Sequence, residues 1–173
     1  HADAVRVGAA GHGAGGAGVQ VGQQGDGFFA VPGAFDGGAA EADYCVVQFP
    51  KSLVLSTGVD SGLIYGRIFE TGVTEAAGSN ASVTAQLGYG LATTNPEMQT
   101  GWTWVPATFN VQSGNDDEYQ ASFTTPAPGA YAYAYRFSLD GGATWTFCDG
   151  DGSGSNGGLN FETPQQTLLT VTP

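Results

Sequence analysis

The stretch AYAYAYRFS, residues 130–138, alternates aromatic side chains with small ones. Successive side chains of a β-strand point to opposite faces of its sheet. One face of this strand therefore carries Tyr131, Tyr133, Tyr135 and Phe137, and the other carries Ala130, Ala132, Ala134 and Arg136. A strand with one aromatic face is typical of a hydrophobic core. We predict a central β-strand here.

Short strand-like runs recur on both sides of this stretch, separated by Gly, Pro, Asn and Asp. They are CVVQF (45–49), LVL (53–55), GLIYGRIFE (62–70), SVTAQLGYG (82–90), GWTWV (101–105), ATFNV (107–111), EYQASFT (118–124), ATWTFC (143–148) and TLLTVT (167–172). No segment shows a helical period over ten residues. The pattern predicts an all-β protein, an Ig-like antiparallel β-sandwich over residues 43–173 preceded by an N-terminal strand extension over residues 1–42.

The charge balance argues against a nucleic-acid partner. The chain has 16 acidic and four basic residues and a net charge of −12. Such a surface repels phosphate backbones, so we predict no nucleic-acid partner. No apolar run approaches the roughly 18–20 residues of a membrane span, so we predict no membrane insertion.

The two cysteines, Cys45 and Cys148, lie far apart and neither belongs to a CxxC pair, which argues against zinc. We predict one disulfide, with two buried free thiols as the alternative. A bridge closing a loop of roughly a hundred residues stabilises the fold by about 4–5 kcal/mol in the chain-entropy model. It implies an extracellular or cell-surface location, with His1 as a mature N-terminus left after signal-peptide cleavage.

Two stretches resemble known modules. LIYGRIFETGVTEAAG (63–78) with TAQLGYG (84–90), and YAYRFSLDGGATWTFCDGDGSG (133–154), are similar to sequences of Ig-like β-sandwich accessory modules in secreted bacterial hydrolases and surface proteins. The resemblance covers about residues 44–172. It implies an ancillary module, because catalysis in those proteins belongs to another domain.

Catalytic constellations are scarce, and we predict a non-catalytic protein. No GxSxG occurs, and His12 is the only internal histidine available to a triad. The run Asp116-Asp117-Glu118 is predicted to be a solvated loop. The alternative is the copper brace of lytic polysaccharide monooxygenases, in which His1 would bind the metal together with His12.

The stretch DGDGSGSNGGLNFE, residues 149–162, carries oxygen ligands at alternate positions. It is an imperfect copy of an EF-hand loop, because Asn156 stands where Gly is expected. It predicts a weak Ca²⁺ site, with a solvated Gly-rich turn as the alternative. The predicted ligands are Asp149, Asp151, Ser153, Ser155 and Glu162.

The tryptophans leave a second role open. Trp102, Trp104 and Trp145 are candidates for a surface that stacks on sugar rings, whereas the tyrosines of residues 131–135 are predicted to lie in the core. These three tryptophans define our alternative function, a carbohydrate-binding module of a secreted protein with a glycan partner.

The N-terminal stretch VRVGAAGHGAGGAGVQV, residues 5–21, has an apolar or bare face at every odd position. It fits a flexible linker, an edge strand of its own sandwich, or a strand inserted into a neighbouring copy. We predict the last, which makes the protein a structural subunit of an extracellular fibre or surface assembly with itself as partner. The predicted assembly residues are Val5, Val7, Val19, Val21, Phe28 and Phe29.

Overall fold

The computed structural model describes residues 41–152 and 161–173. The ten strands in these ranges are β1 (Tyr44–Phe49), β2 (Ser52–Ser56), β3 (Ile64–Phe69), β4 (Thr84–Leu91), β5 (Thr103–Pro106), β6 (Thr108–Ser113), β7 (Asp116–Ala121), β8 (Gly129–Ser138), β9 (Thr146–Cys148) and β10 (Thr167–Thr172). The described helical segment is a single 3₁₀ turn, Thr163–Gln165. Within both ranges, no helix has the length and apolar character needed to cross a membrane.

The strands form two sheets that enclose one core, so the predicted β-sandwich is confirmed. The smaller sheet has the order β1-β3-β7-β6. The larger has the order β2-β10-β8-β4-β5, and β9 pairs with the C-terminal part of β8. Neighbours are antiparallel, except that β2 runs parallel to β10. The chain leaves the smaller sheet at Pro50, which has no backbone N–H to continue the ladder, and joins the larger sheet with β2.

The aromatic face of β8 fills the core, as its alternation predicts. Tyr133, Tyr135 and Phe137 are fully buried. The ring of Tyr135 crosses to the smaller sheet, where its hydroxyl donates a hydrogen bond to the Ile64 carbonyl at 2.7 Å. A Cβ added at Gly66 would lie 2.5 Å from that ring, so β3 needs glycine at this position.

The predicted disulfide is confirmed. Cys45 on β1 is bonded to Cys148 on β9, 103 positions along the chain, and both residues are buried. Because β1 and β9 belong to different sheets, the bridge joins the two layers of the sandwich.

The acidic run 116–118 is not the solvated loop that we predicted, because it forms the start of β7. The strand alternation turns Asp117 inward with Tyr119 and turns Glu118 outward to accept a hydrogen bond from Asn110. Asp117 is fully buried, and neither carboxylate oxygen has a hydrogen-bond partner in the described ranges. Desolvation by burial, followed by the charge of Asp116, raises its pKa to about 6.

Candidate functional site

The three tryptophans meet on the outer face of the larger sheet. Trp104 on β5 lies beside Gly88 on β4, and Trp102, just before β5, lies over Gly90. A Cβ added at either glycine would collide with the neighbouring indole ring. The alternation LGYG therefore supplies a bare strip on which two large rings rest against the sheet.

Arg136 joins these rings to Trp145. Its guanidinium carbon lies 4.2 Å from the centre of the Trp104 ring and 4.1 Å from the centre of the Trp145 ring. Trp102 extends this row beyond Trp104: the two indole rings are stacked, with their centroids 5.6 Å apart and an angle of 19° between their planes. We call Trp102, Trp104, Arg136 and Trp145 the aromatic ladder. Cation–π attraction of this kind contributes about 0.5–2 kcal/mol, depending on exposure.

A neighbouring glutamine fixes the orientation of the guanidinium. Arg136 Nε and Nη2 donate to Gln86 Oε1 at 2.8 and 2.6 Å. Arg136 makes no ion pair within the described ranges, where the one ion pair joins Arg67 and Asp116 at 3.9 Å. Burial lowers the pKa of Arg136, yet an arginine stays charged in proteins. The ladder therefore presents a fixed positive charge that has no acidic partner among the described residues.

The loop after β8 carries Trp145 and is held by Asp140. The Asp140 carboxylate accepts hydrogen bonds from the Thr144 backbone N–H and from the Ser138 and Thr144 hydroxyls. These bonds, with that of the Thr144 N–H the largest, hold the pKa of Asp140 well below its usual range. Trp145 thus stands on an ordered loop rather than on a free tip.

The opposite end of the ladder is supported by the β4–β5 loop. Trp102 Nε1 donates to Thr94 Oγ1 at 3.0 Å, and its ring meets the edge of buried Phe161. Asn95 and Glu97 each hydrogen-bond the backbone of Phe161. Both ends of the ladder are therefore positioned by hydrogen-bonded loops.

The ladder combines the chemical features of a sugar site. Its three tryptophans are half-buried and so keep part of their surface in contact with solvent. Sugar rings pack their C–H groups against aromatic rings, while their hydroxyl oxygens accept hydrogen bonds from groups such as guanidinium N–H. The sequence singled out all three tryptophans but not Arg136 or Gln86. Arg136 could have been found from the sequence, because it is the one charged residue on the alanine face of β8.

The predicted calcium ligands are only partly within the described ranges. Asp149 is buried, and its two oxygens accept hydrogen bonds from the backbone N–H groups of Asp151 and Glu162. Burial is the main cause that raises the pKa of Asp149. Ser153 and Ser155 lie outside those ranges, within which no group of three or more acidic, His or Cys side chains is placed to hold a metal ion. The calcium site stays a prediction.

The predicted assembly strand lies wholly outside the described residues, and so do the copper candidates His1 and His12. The fibre and copper hypotheses therefore stay predictions. The assembly residues concerned are Val5, Val7, Val19, Val21, Phe28 and Phe29.

Fold and site together define a disulfide-linked β-sandwich with an aromatic ladder on one face. The chain matches no protein-family model. It is similar to an amylopullulanase of Thermoanaerobacter thermohydrosulfuricus, with 33% identity over 102 residues that cover 50% of this chain. The matched part is 7% of the length of that enzyme, and this limited match is compatible with an accessory module of a hydrolase.

Proposed function

We propose that this protein is an extracellular, Ig-like carbohydrate-binding module whose aromatic ladder binds a neutral α-glucan. The observation that carries the proposal is the convergence of Trp102, Trp104 and Trp145 on one face of the larger sheet, around a single arginine. All three tryptophans of the protein are half-buried and lie on this one face, so they form a concentrated binding surface.

The kind of glycan is inferred from charge and from the relative. A net charge of −12 disfavours acidic polysaccharides, which leaves neutral ones. The relative's name, amylopullulanase, denotes an enzyme of pullulan and amylose-type glucans. A module that binds the same class of polymer would hold such an enzyme on its substrate.

An extracellular location is supported by the disulfide between Cys45 and Cys148, since structural disulfides persist in oxidising compartments. The Ig-like type is supported by the pairing of β2 in parallel with the last strand, while β1 pairs with β3 in the other sheet.

Calorimetric titration with pullulan tests the proposal. We expect Trp145→Ala to weaken binding at least about tenfold, since buried or half-buried tryptophans dominate binding energies. The matched control is Tyr65→Ala, which removes a half-exposed aromatic ring from the outer face of the smaller sheet. Equal affinities for the wild type and Trp145→Ala, or no binding by the wild type, would contradict the proposal.

A further inference from the structure

The guanidinium of Arg136 has hydrogen-bonding capacity that the described residues do not use. Nε and Nη2 are bonded to Gln86, whereas Nη1 has no hydrogen-bond partner in the described ranges. Trp104 and Trp145 lie against the guanidinium, and the side chain is only half-buried. Its unused donors therefore lie at the surface, between two tryptophan rings.

The charge of Arg136 also has no counter-charge among the described residues, in a chain with an excess of acidic groups. Sixteen acidic residues are present against four basic ones, yet Arg136 forms no ion pair within the described part of the chain. Arg67, by contrast, has both a carboxylate and a glutamine as partners. A cation that is fixed, half-desolvated and short of acceptors favours a ligand that brings oxygen acceptors to it.

We propose that Arg136 is the specificity-determining residue of the ladder, and that Nη1 and the remaining N–H of Nη2 donate to adjacent hydroxyl oxygens of one sugar residue while Trp145 packs against the sugar. This inference rests on the proposed function. Gln86 then acts as a positioning residue, because it holds the opposite edge of the guanidinium. The site selects neutral sugars with two neighbouring hydroxyl groups, which match the planar fork of an arginine.

Calorimetric titration of the full chain with pullulan tests this inference, with Arg136→Lys as the variant. Lysine keeps the positive charge but lacks the planar fork, so we expect affinity to fall about tenfold while the far-ultraviolet circular dichroism still shows the wild-type fold. Arg67→Lys on the smaller sheet is the matched control and should bind like the wild type. An affinity of Arg136→Lys equal to that of the wild type would overturn the inference.

The proposed function and the inference fail in different ways. If Trp145→Ala loses binding and Arg136→Lys does not, the ladder binds glycan and only the role of Arg136 is wrong. If neither variant differs from the wild type, the proposed function is wrong as well.

A second measurement needs no substitution. Addition of maltotriose should shift the Nε–H resonance of Arg136 in a ¹⁵N spectrum and leave that of Arg67 in place. A shift of both resonances or of neither would overturn the inference.

Polygalacturonate serves as the acidic probe. If the protein binds polygalacturonate in preference to pullulan, and loses that binding in 0.5 M NaCl, Arg136 recognises a carboxylate. This result would also overturn the inference.

Discussion

At the scale of single residues, two glycines of β4 determine where the aromatic ladder lies. Gly88 and Gly90 leave room on the outer face of the larger sheet, and the indole rings of Trp104 and Trp102 occupy that room. Neither glycine has a positive φ angle, so the requirement is for space rather than for backbone freedom.

We therefore expect Gly88→Ala to displace the Trp104 ring and to destabilise the fold by about 1–3 kcal/mol, as overpacking does. The change should be measured by urea unfolding. In a Trp104→Ala background the same substitution should cost little, because the clash is with the indole. An equal cost in both backgrounds would show that the ring is not the cause.

Asp117 predicts how stability depends on pH. Burial raises its pKa from 3.8 to about 6, so between these values the folded state keeps a proton that the unfolded state loses. Stability from this group is therefore lost as pH rises from about 4 to 6 and stays low above that range. Asp117→Asn should remove this loss, and we expect the variant to be more stable than the wild type by roughly 1–3 kcal/mol at pH 8.

The test compares urea unfolding of both proteins at pH 4 and pH 8. The difference between them should grow with pH. Asp116→Asn is the comparison variant: it leaves the buried carboxyl of Asp117 in place and removes one cause of its raised pKa, so a smaller pH-dependent loss of stability should remain. A difference between Asp117→Asn and the wild type that is independent of pH would contradict this account.

At the scale of elements, β8 organises the molecule. It pairs with β4 along one edge and with β10 and β9 along the other, so three strands depend on its register. Its inner face supplies core aromatics, and its outer face supplies Arg136 to the ladder. A shift of β8 by one residue would exchange these faces and disrupt both core and ladder.

The disulfide joins β1 to β9 and therefore constrains the unfolded chain over most of the sandwich. We expect the double variant Cys45→Ala, Cys148→Ala to lose about 4–5 kcal/mol of unfolding free energy in the chain-entropy model. Urea unfolding measures the loss. The wild type unfolded in excess dithiothreitol should have a urea midpoint similar to that of the double variant. Unchanged stability in both samples would contradict this estimate.

The strands were predictable because their side-chain patterns are local. The alternation of residues 130–138 and the run TLLTVT correspond to β8 and β10 in the structure. The parallel pairing of β2 with β10 was not predictable, since it depends on partners more than 100 residues apart. The burial of Asp117 was missed because three consecutive acidic residues indicate solvent exposure in the absence of tertiary context.

The candidate site was predictable only in part, for a related physical reason. The sequence identified Trp102, Trp104 and Trp145 as candidates, but their meeting around Arg136 depends on the register of β4, β5 and β8. Gln86 was not anticipated because its role depends on lying opposite Arg136 on the neighbouring strand, and a pattern of about ten residues does not reveal which residues face each other across a sheet.

At the scale of the whole molecule, the two outer faces of the sandwich differ. The outer face of the larger sheet carries the ladder, while that of the smaller sheet carries the ion pair of Arg67 with Asp116. The disulfide and the shared core join the two layers, so the sheet that carries the ladder is fastened to the other sheet. This asymmetry is what an accessory module needs if one face binds polymer.

The most direct test of the central claim uses the three indole N–H resonances in a ¹⁵N spectrum of the chain. All three tryptophans of the protein belong to the ladder, so each indole signal reports on it. Titration with maltotriose should shift these signals saturably, while the amide signals of β6 and β7 in the smaller sheet stay in place. Indole signals that remain unchanged at millimolar maltotriose would contradict the claim that the ladder binds glycan.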